Sequence, residues 1–187
     1  MGAPRSSLFA GVADRLDALA TGIGRVVAYF TVATVLICFL NVYLRYAVGV
    51  GFVWLQESYI WTHVAAIMFG SSYALSQGAF VRVDPFYNRL SERGKAWVDL
   101  AGTVVFLGPF MWMMGSSGWS FFLASWKMSE RSAYESGLPA TYLLKGTLLL
   151  FVALVALQGV AIICRCLLTL LLGRSKRAAP SVSPESF

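Results

Sequence analysis

Few side chains in this 187-residue chain are of types that do chemistry. His63 is the single histidine, and Cys38, Cys164 and Cys166 are the only thiols. One histidine excludes a haem held by two imidazoles within this chain, and any zinc site built on several. Cys164 and Cys166 face about 200° apart on a helix and cannot jointly grip a metal. All three cysteines lie in apolar runs and are expected as small packing residues. No Gly-rich phosphate loop, Gly-x-Ser-x-Gly elbow or Cys-x-x-Cys pair occurs, so nucleotide hydrolysis, serine hydrolysis and disulfide exchange lack their sequence contexts. No enzymatic activity and no bound cofactor are expected.

The charged groups that remain stand at the ends of apolar stretches. Arg45, Glu57, Asp99 and Arg165 each sit near such an end, where snorkelling to the interface accounts for them. Arg45 and Glu57 flank a short turn containing Gly49 and Gly51, which places them at one depth. They are expected to pair across that turn, or Glu57 to meet a basic residue of another subunit. His63 lies about two turns into its stretch, where an imidazole relays protons or hydrogen-bonds a neighbouring helix. With no acid at mid-depth in any stretch, the packing reading is favoured over proton coupling.

The elements that must position these groups follow from composition. The chain is 58% hydrophobic and 13% charged, against about 45–50% and about 25% in soluble domains. A bilayer core of about 30 Å needs about 20 apolar residues. Four stretches meet that length, at about 26–46, 54–76, 97–122 and 142–172. The second is the least apolar, carrying Gln56, Glu57, Thr62 and His63. Trp54, Tyr59, Trp61, Trp97, Trp119, Trp126 and Tyr142 stand where interfacial aromatic belts belong. The net charge of +6 belongs to these flanks, which points to a membrane surface and not to nucleic acid.

Arg5, Arg15, Arg25, Arg82, Arg89, Arg93, Lys95, Arg174, Lys176 and Arg177 fall on one side of the four stretches, and only Arg45, Lys127, Arg131 and Lys145 on the other. The positive-inside rule then predicts that both termini are cytoplasmic. Residues 1–24 form a cytoplasmic N-terminal segment, of which the first 20 lack the continuous apolar region of a secretory signal and carry Asp14 and Asp17. Leu8, Phe9, Val12, Leu16 and Leu19 share one helical face there, which predicts a short amphipathic helix lying on the membrane surface. Residues 25–173 read as the membrane domain, and 174–187, rich in Ser, Pro and Ala, as a disordered cytoplasmic tail. The expected fold is therefore an all-α integral membrane protein of four transmembrane helices, both ends inside, with an interfacial helix first.

Close packing has its own signals. Ser58, Thr62, Ala66, Gly70, Ala74 and Gly78 recur every fourth residue, a spacing that lets helices approach. The row drifts about 40° per step, so it serves one neighbour at its start and another at its end. Gly102, Gly108, Gly115 and Gly118 offer similar sites in the third stretch, and Pro109 predicts a kink near its middle. The segment 123–141, between the third and fourth stretches, is the most polar connector. Its mixed charge, with Trp126 and Tyr134, suits a protein contact or a solvated link.

Four motifs together resemble the small membrane subunit, the DctQ-type permease, of tripartite ATP-independent periplasmic (TRAP) transporters. These are Asn41-Val42-Tyr43-Leu44-Arg45, Trp54-Leu55-Gln56-Glu57, Gly78-Ala79-Phe80-Val81-Arg82-Val83-Asp84, and Glu130-Arg131-Ser132 followed by Gly137-Leu138-Pro139. Their order and spacing on a four-stretch chain carry the likeness over roughly residues 20–172. Phe80 departs from it, since many relatives carry His there. The resemblance implies a bacterial inner-membrane protein that pairs with a large multispan subunit. That subunit would carry the sodium ions and substrate, and a periplasmic solute-binding protein would deliver an organic acid to it. It implies a scaffold role, with Arg45, Glu57, His63, Ala66, Gly70, Ala74, Arg82 and Asp84 towards the large subunit. Lys127, Glu130, Arg131 and Glu135 would face the binding protein. A stand-alone four-helix transporter and an anchor subunit of another membrane complex are the alternatives.

Overall fold

A computed structural model describes residues 3–78, 87 and 89–172, with side chains in the first helix from Phe9 onward. Arg82, Asp84, Phe80 and the tail 174–187 lie outside the described residues. The described chain is helical. Helix α1 runs Ala3–Tyr43 and passes into a π-helical turn at Leu44–Val48. Helix α2 is Val53–Ser76, α3 is Glu92–Gly102, a second π-turn is Thr103–Leu107, α4 is Gly108–Lys127 and α5 is Thr141–Leu172. Three stretches are long and apolar enough to cross a bilayer: Phe9–Val48, Glu92–Lys127 and Thr141–Leu171. Helix α2 has the length, 24 residues or about 36 Å. Its polar first half, with Gln56, Glu57, Thr62 and His63, keeps it out of that set.

Local chemistry sets the breaks. Pro4 stands in the first turn of α1, where its missing N–H costs nothing. No proline follows until Pro85, so nothing interrupts α1 or α2. The π-turn after α1 is closed by Gly49 at φ 77°, whose N–H bonds the Leu44 carbonyl; the Val50 N–H reaches the same oxygen at 3.0 Å. Glycine adopts that left-handed conformation without Cβ strain. Helix α3 is capped by Ser91, whose hydroxyl accepts the Gly94 N–H at 3.2 Å. Immediately before Pro109, where a kink was expected, the chain makes the second π-turn, in which the Gly108 N–H bonds the Thr103 carbonyl. A proline without an N–H leaves a carbonyl one turn earlier unmatched, and a wide turn just before it absorbs the mismatch.

The chain divides into two compact units. One gathers Ile23–Ser71 and Met113–Val152. Here α1 meets α2 through the Thr34 and Thr62 hydroxyls, 2.9 Å apart. A Cβ placed on Gly70 would lie 3.2 Å from Val27 Cγ1. Helices α4 and α5 close on each other in the same way, since a Cβ on Gly118 would lie 3.2 Å from Leu148 and one on Gly146 3.2 Å from Phe122. Replacing Gly70 by Leu should push α1 away from α2. A loss of about 1–3 kcal/mol, the usual cost of overpacking, is expected in detergent unfolding.

The other unit gathers Met1–Gly22, Ser72–Trp112 and Ala153–Phe187. Its core is Ala13, Ala161 and Cys164, with Phe9 and Leu16 packed against it. Part of the apolar face of the N-terminal segment, Phe9 and Leu16, is therefore covered by α5, while Val12 and Leu19 of that face stay exposed. Residues 3–43 form one helix without a break near 24, so the short separate interfacial helix gives way to a continuous one. A polar tie explains the difference. Asp17 forms an ion pair with Arg165 and accepts the Gln158 Nε2–H at 2.8 Å. Arg165, expected to snorkel alone, is instead neutralised within the chain. Gln158 is 2% exposed, so its amide would be costly to bury without Asp17.

Candidate functional site

The polar connector 128–140, between α4 and α5, is held by two carboxylates. Glu57, in the first turns of α2, accepts the Ser132 hydroxyl on Oε1 and the Leu138 N–H on Oε2 at 2.5 Å. Ser132 in turn accepts the Tyr134 N–H at 3.2 Å and donates its own N–H to the Leu138 carbonyl at 3.3 Å. The Gly137 N–H bonds the Tyr134 carbonyl at 3.0 Å. Gly137 has no room for a side chain: a Cβ there would overlap Ser132 and lie 2.8 Å from Glu57 Oε1. The ends of the connector are wound into the left-handed region, with Ser129 at φ 46° and Ala140 at φ 74°. Such backbone persists only where surrounding contacts over-determine it.

Glu130 supplies the second anchor. It accepts the hydroxyl of the fully buried Ser125 and an ion pair from Lys145, both at 2.5 Å. The Lys145 ammonium also lies 4.1 Å from the Phe121 ring centre, and Trp126 meets Tyr142 edge-on at 4.9 Å. The Lys145 ammonium first, and then the Ser125 hydroxyl, hold the Glu130 carboxyl below the ordinary carboxylate range. Because the folded-state value is depressed, this anchor contributes stability above the ordinary carboxylate range. It loses that contribution as pH falls through the lowered value. The melting temperature of the wild type should therefore drop more steeply on acidification than that of Glu130→Gln; parallel pH profiles would refute the anchor.

The sequence-predicted residues divide sharply. Arg45 is exposed in the first π-turn and takes part in none of the three ion pairs among the described residues, which are Lys95–Glu92, Lys145–Glu130 and Arg165–Asp17. The expected Arg45–Glu57 pair does not form, because Glu57 is turned to the connector. His63 is exposed. Ala66 is buried and Gly70 faces Val27, so both serve packing inside this chain. Ala74 is half-buried. Lys127, Arg131 and Glu135 are exposed, while Glu130 is engaged internally. Asp99 accepts the Tyr87 hydroxyl at 2.6 Å.

Reading from sequence missed Ser125, Lys145, Gln158 and Asp17 as partners. Ser132 and Gly137 stood in a quoted motif, but with no assigned contact. The available signal was a carboxylate at each end of an otherwise apolar helix hairpin, which must find donors somewhere.

A carboxylate closed by a hydroxyl and a backbone N–H, and another by a hydroxyl and an ammonium, fasten a loop and present no nucleophile with a base. Together with helices long and apolar enough to cross a bilayer, this is the architecture of a helical membrane protein. The family to which the chain belongs is that of the tripartite ATP-independent periplasmic transporters, DctQ component, matched over residues 34–169. That range holds Glu57, Glu130 and the whole connector, and leaves Asp17 outside. The family is one of transporter components and not of enzymes. Comparison with curated proteins and with solved structures finds no match.

Proposed function

We propose that this chain is the small, bracing subunit of a sodium-driven TRAP transporter that takes up organic acids across the bacterial inner membrane. In this reading α2 crosses the bilayer as a fourth span, and both termini are cytoplasmic. A large multispan partner holds the sodium ions and the substrate, and this chain gives it a fixed frame. The observation that carries the reading is how the charges are used. Glu57, Glu130, Asp17 and Arg165 all hold this chain's own segments together. A conduit would need such groups open to a cargo. Large apolar side chains remain outward on the same helices, Trp112 at 80% and Tyr29 at 77% exposure among them, which suits a broad intramembrane contact. Exposed Lys127 at the end of α4 and exposed Arg131 and Glu135 on the fastened connector suit a contact with a soluble binding protein.

Mild-detergent capture of the tagged chain from its native membrane tests this reading. A large multispan protein in equal amount is expected. Sodium-dependent uptake of an organic acid by the co-reconstituted pair and its binding protein should follow. Recovery of this chain alone or as a self-dimer would overturn it.

A further inference from the structure

The start of α3 carries two guanidinium groups with no acid left for them among the described residues. Arg89, in the turn before the helix, and Arg93, in its first turn, are both exposed. The nearby acids are already engaged: Glu92 with Lys95 at 3.1 Å, and Asp99 with the Tyr87 hydroxyl at 2.6 Å. The surplus is therefore positive and open to the surroundings.

The residues that follow on the same face change character in a fixed order. Arg93, Trp97, Ala101 and Val104 are spaced by four, four and three, which keeps them on one side of the helix. All four are exposed, Trp97 at 62% and Val104 at 53%. The buried residues of the same stretch, Ala96 and Thr103, share a different side. Moving along the exposed face, a guanidinium gives way to an indole and then to aliphatic groups over about 17 Å. An indole prefers the depth of headgroups and ester carbonyls, and aliphatic side chains the hydrocarbon.

We propose that this face binds an anionic phospholipid of the adjoining leaflet. Arg89 and Arg93 hold the headgroup phosphate, Trp97 lies at the glycerol ester, and Ala101 and Val104 run along an acyl chain. Guanidinium suits phosphate because its planar fork meets two oxygens at once. Charge complementarity selects the occupant: a zwitterionic lipid gains less from two uncompensated cations than one with net negative charge. This goes beyond the transporter reading and does not depend on it.

The test offers the purified full chain equal amounts of phosphatidylglycerol and phosphatidylcholine in mild detergent and counts bound lipid by native mass spectrometry. The wild type should retain phosphatidylglycerol roughly thirtyfold over phosphatidylcholine, the scale that two basic residues beside a lipid of net negative charge give. The preference should shrink as salt rises from about 0.1 M to about 1 M. Arg89→Gln/Arg93→Gln should bind both lipids alike with unchanged helix content by circular dichroism, while Arg25→Gln keeps the preference. A preference retained in the double variant overturns the proposal. A wild-type preference indifferent to salt does so too, whether or not the double variant folds. Displacement of the lipid by millimolar inorganic phosphate would mean an anion site with no acyl contribution, and would also overturn it.

Discussion

Glu57→Ala should release the connector 128–140 while leaving the helices formed. The carboxylate accepts one hydroxyl and one backbone N–H there, and a hydrogen bond to a charged group is worth about 1.5–3 kcal/mol. Losing both is expected to cost about 3–5 kcal/mol of local stability. The readout is hydrogen exchange at Leu138, whose N–H is bonded to Glu57 Oε2. Its protection should fall by roughly a hundredfold or more, since each 1.4 kcal/mol is a factor of ten. Glu57→Gln keeps an acceptor oxygen and should fall between. Leu138 protection unchanged in the alanine variant would mean that the strained ends at Ser129 and Ala140 are held by something else. Gly137→Ala should mimic the effect from the other side, because its Cβ has no space beside Ser132.

The second large effect is expected at the opposite pole of the chain's sequence. Arg165→Met removes the cation from Asp17 and leaves that carboxylate with the Gln158 amide alone. The pair is half-buried, so stranding the remaining charge is expected to cost about 1–3 kcal/mol, between the values for exposed and fully buried pairs. Asp17→Ala/Arg165→Met removes both charges and should recover most of the loss. Detergent unfolding of the two single variants and the double variant closes a double-mutant cycle. Additive losses would show that the pair does not couple the first helix to the last. Independently, the single variant should raise the rate at which a thiol reagent reaches Cys164, which is 7% exposed beside Ala13.

The helices were legible because long apolar runs without proline leave the backbone no other way to satisfy its hydrogen bonds in a bilayer. The boundaries of α2 agree with the expected 54–76 to within a residue. The N-terminal face of Phe9, Val12 and Leu16 was legible as amphipathic, but the partial cover that α5 gives Phe9 and Leu16 was not. Periodicity says that a face wants burial, not whether lipid or another helix buries it. Asp17 and Gln158 meet across 141 positions, and Glu57 and Ser132 across 75. No local pattern encodes such pairings. Arg45 and Glu57 shared a depth, yet depth alone did not choose a partner. The connector's backbone donors, fixed by Gly137 and the left-handed Ala140, reached Glu57 instead.

Those two long-range ties also impose an order on synthesis. A chain made from its N-terminus threads its early helices before the later ones exist. Asp17 leaves the ribosome long before Arg165 does, and Glu57 well before Ser132 and Leu138. Until the final hairpin arrives, two carboxylates stand in or beside the membrane without their donors. A product truncated before Ser132 would leave both carboxylates without these donors. The connector closes the first tie and α5 the second, so the early carboxylates are satisfied in the order in which the later segments are made.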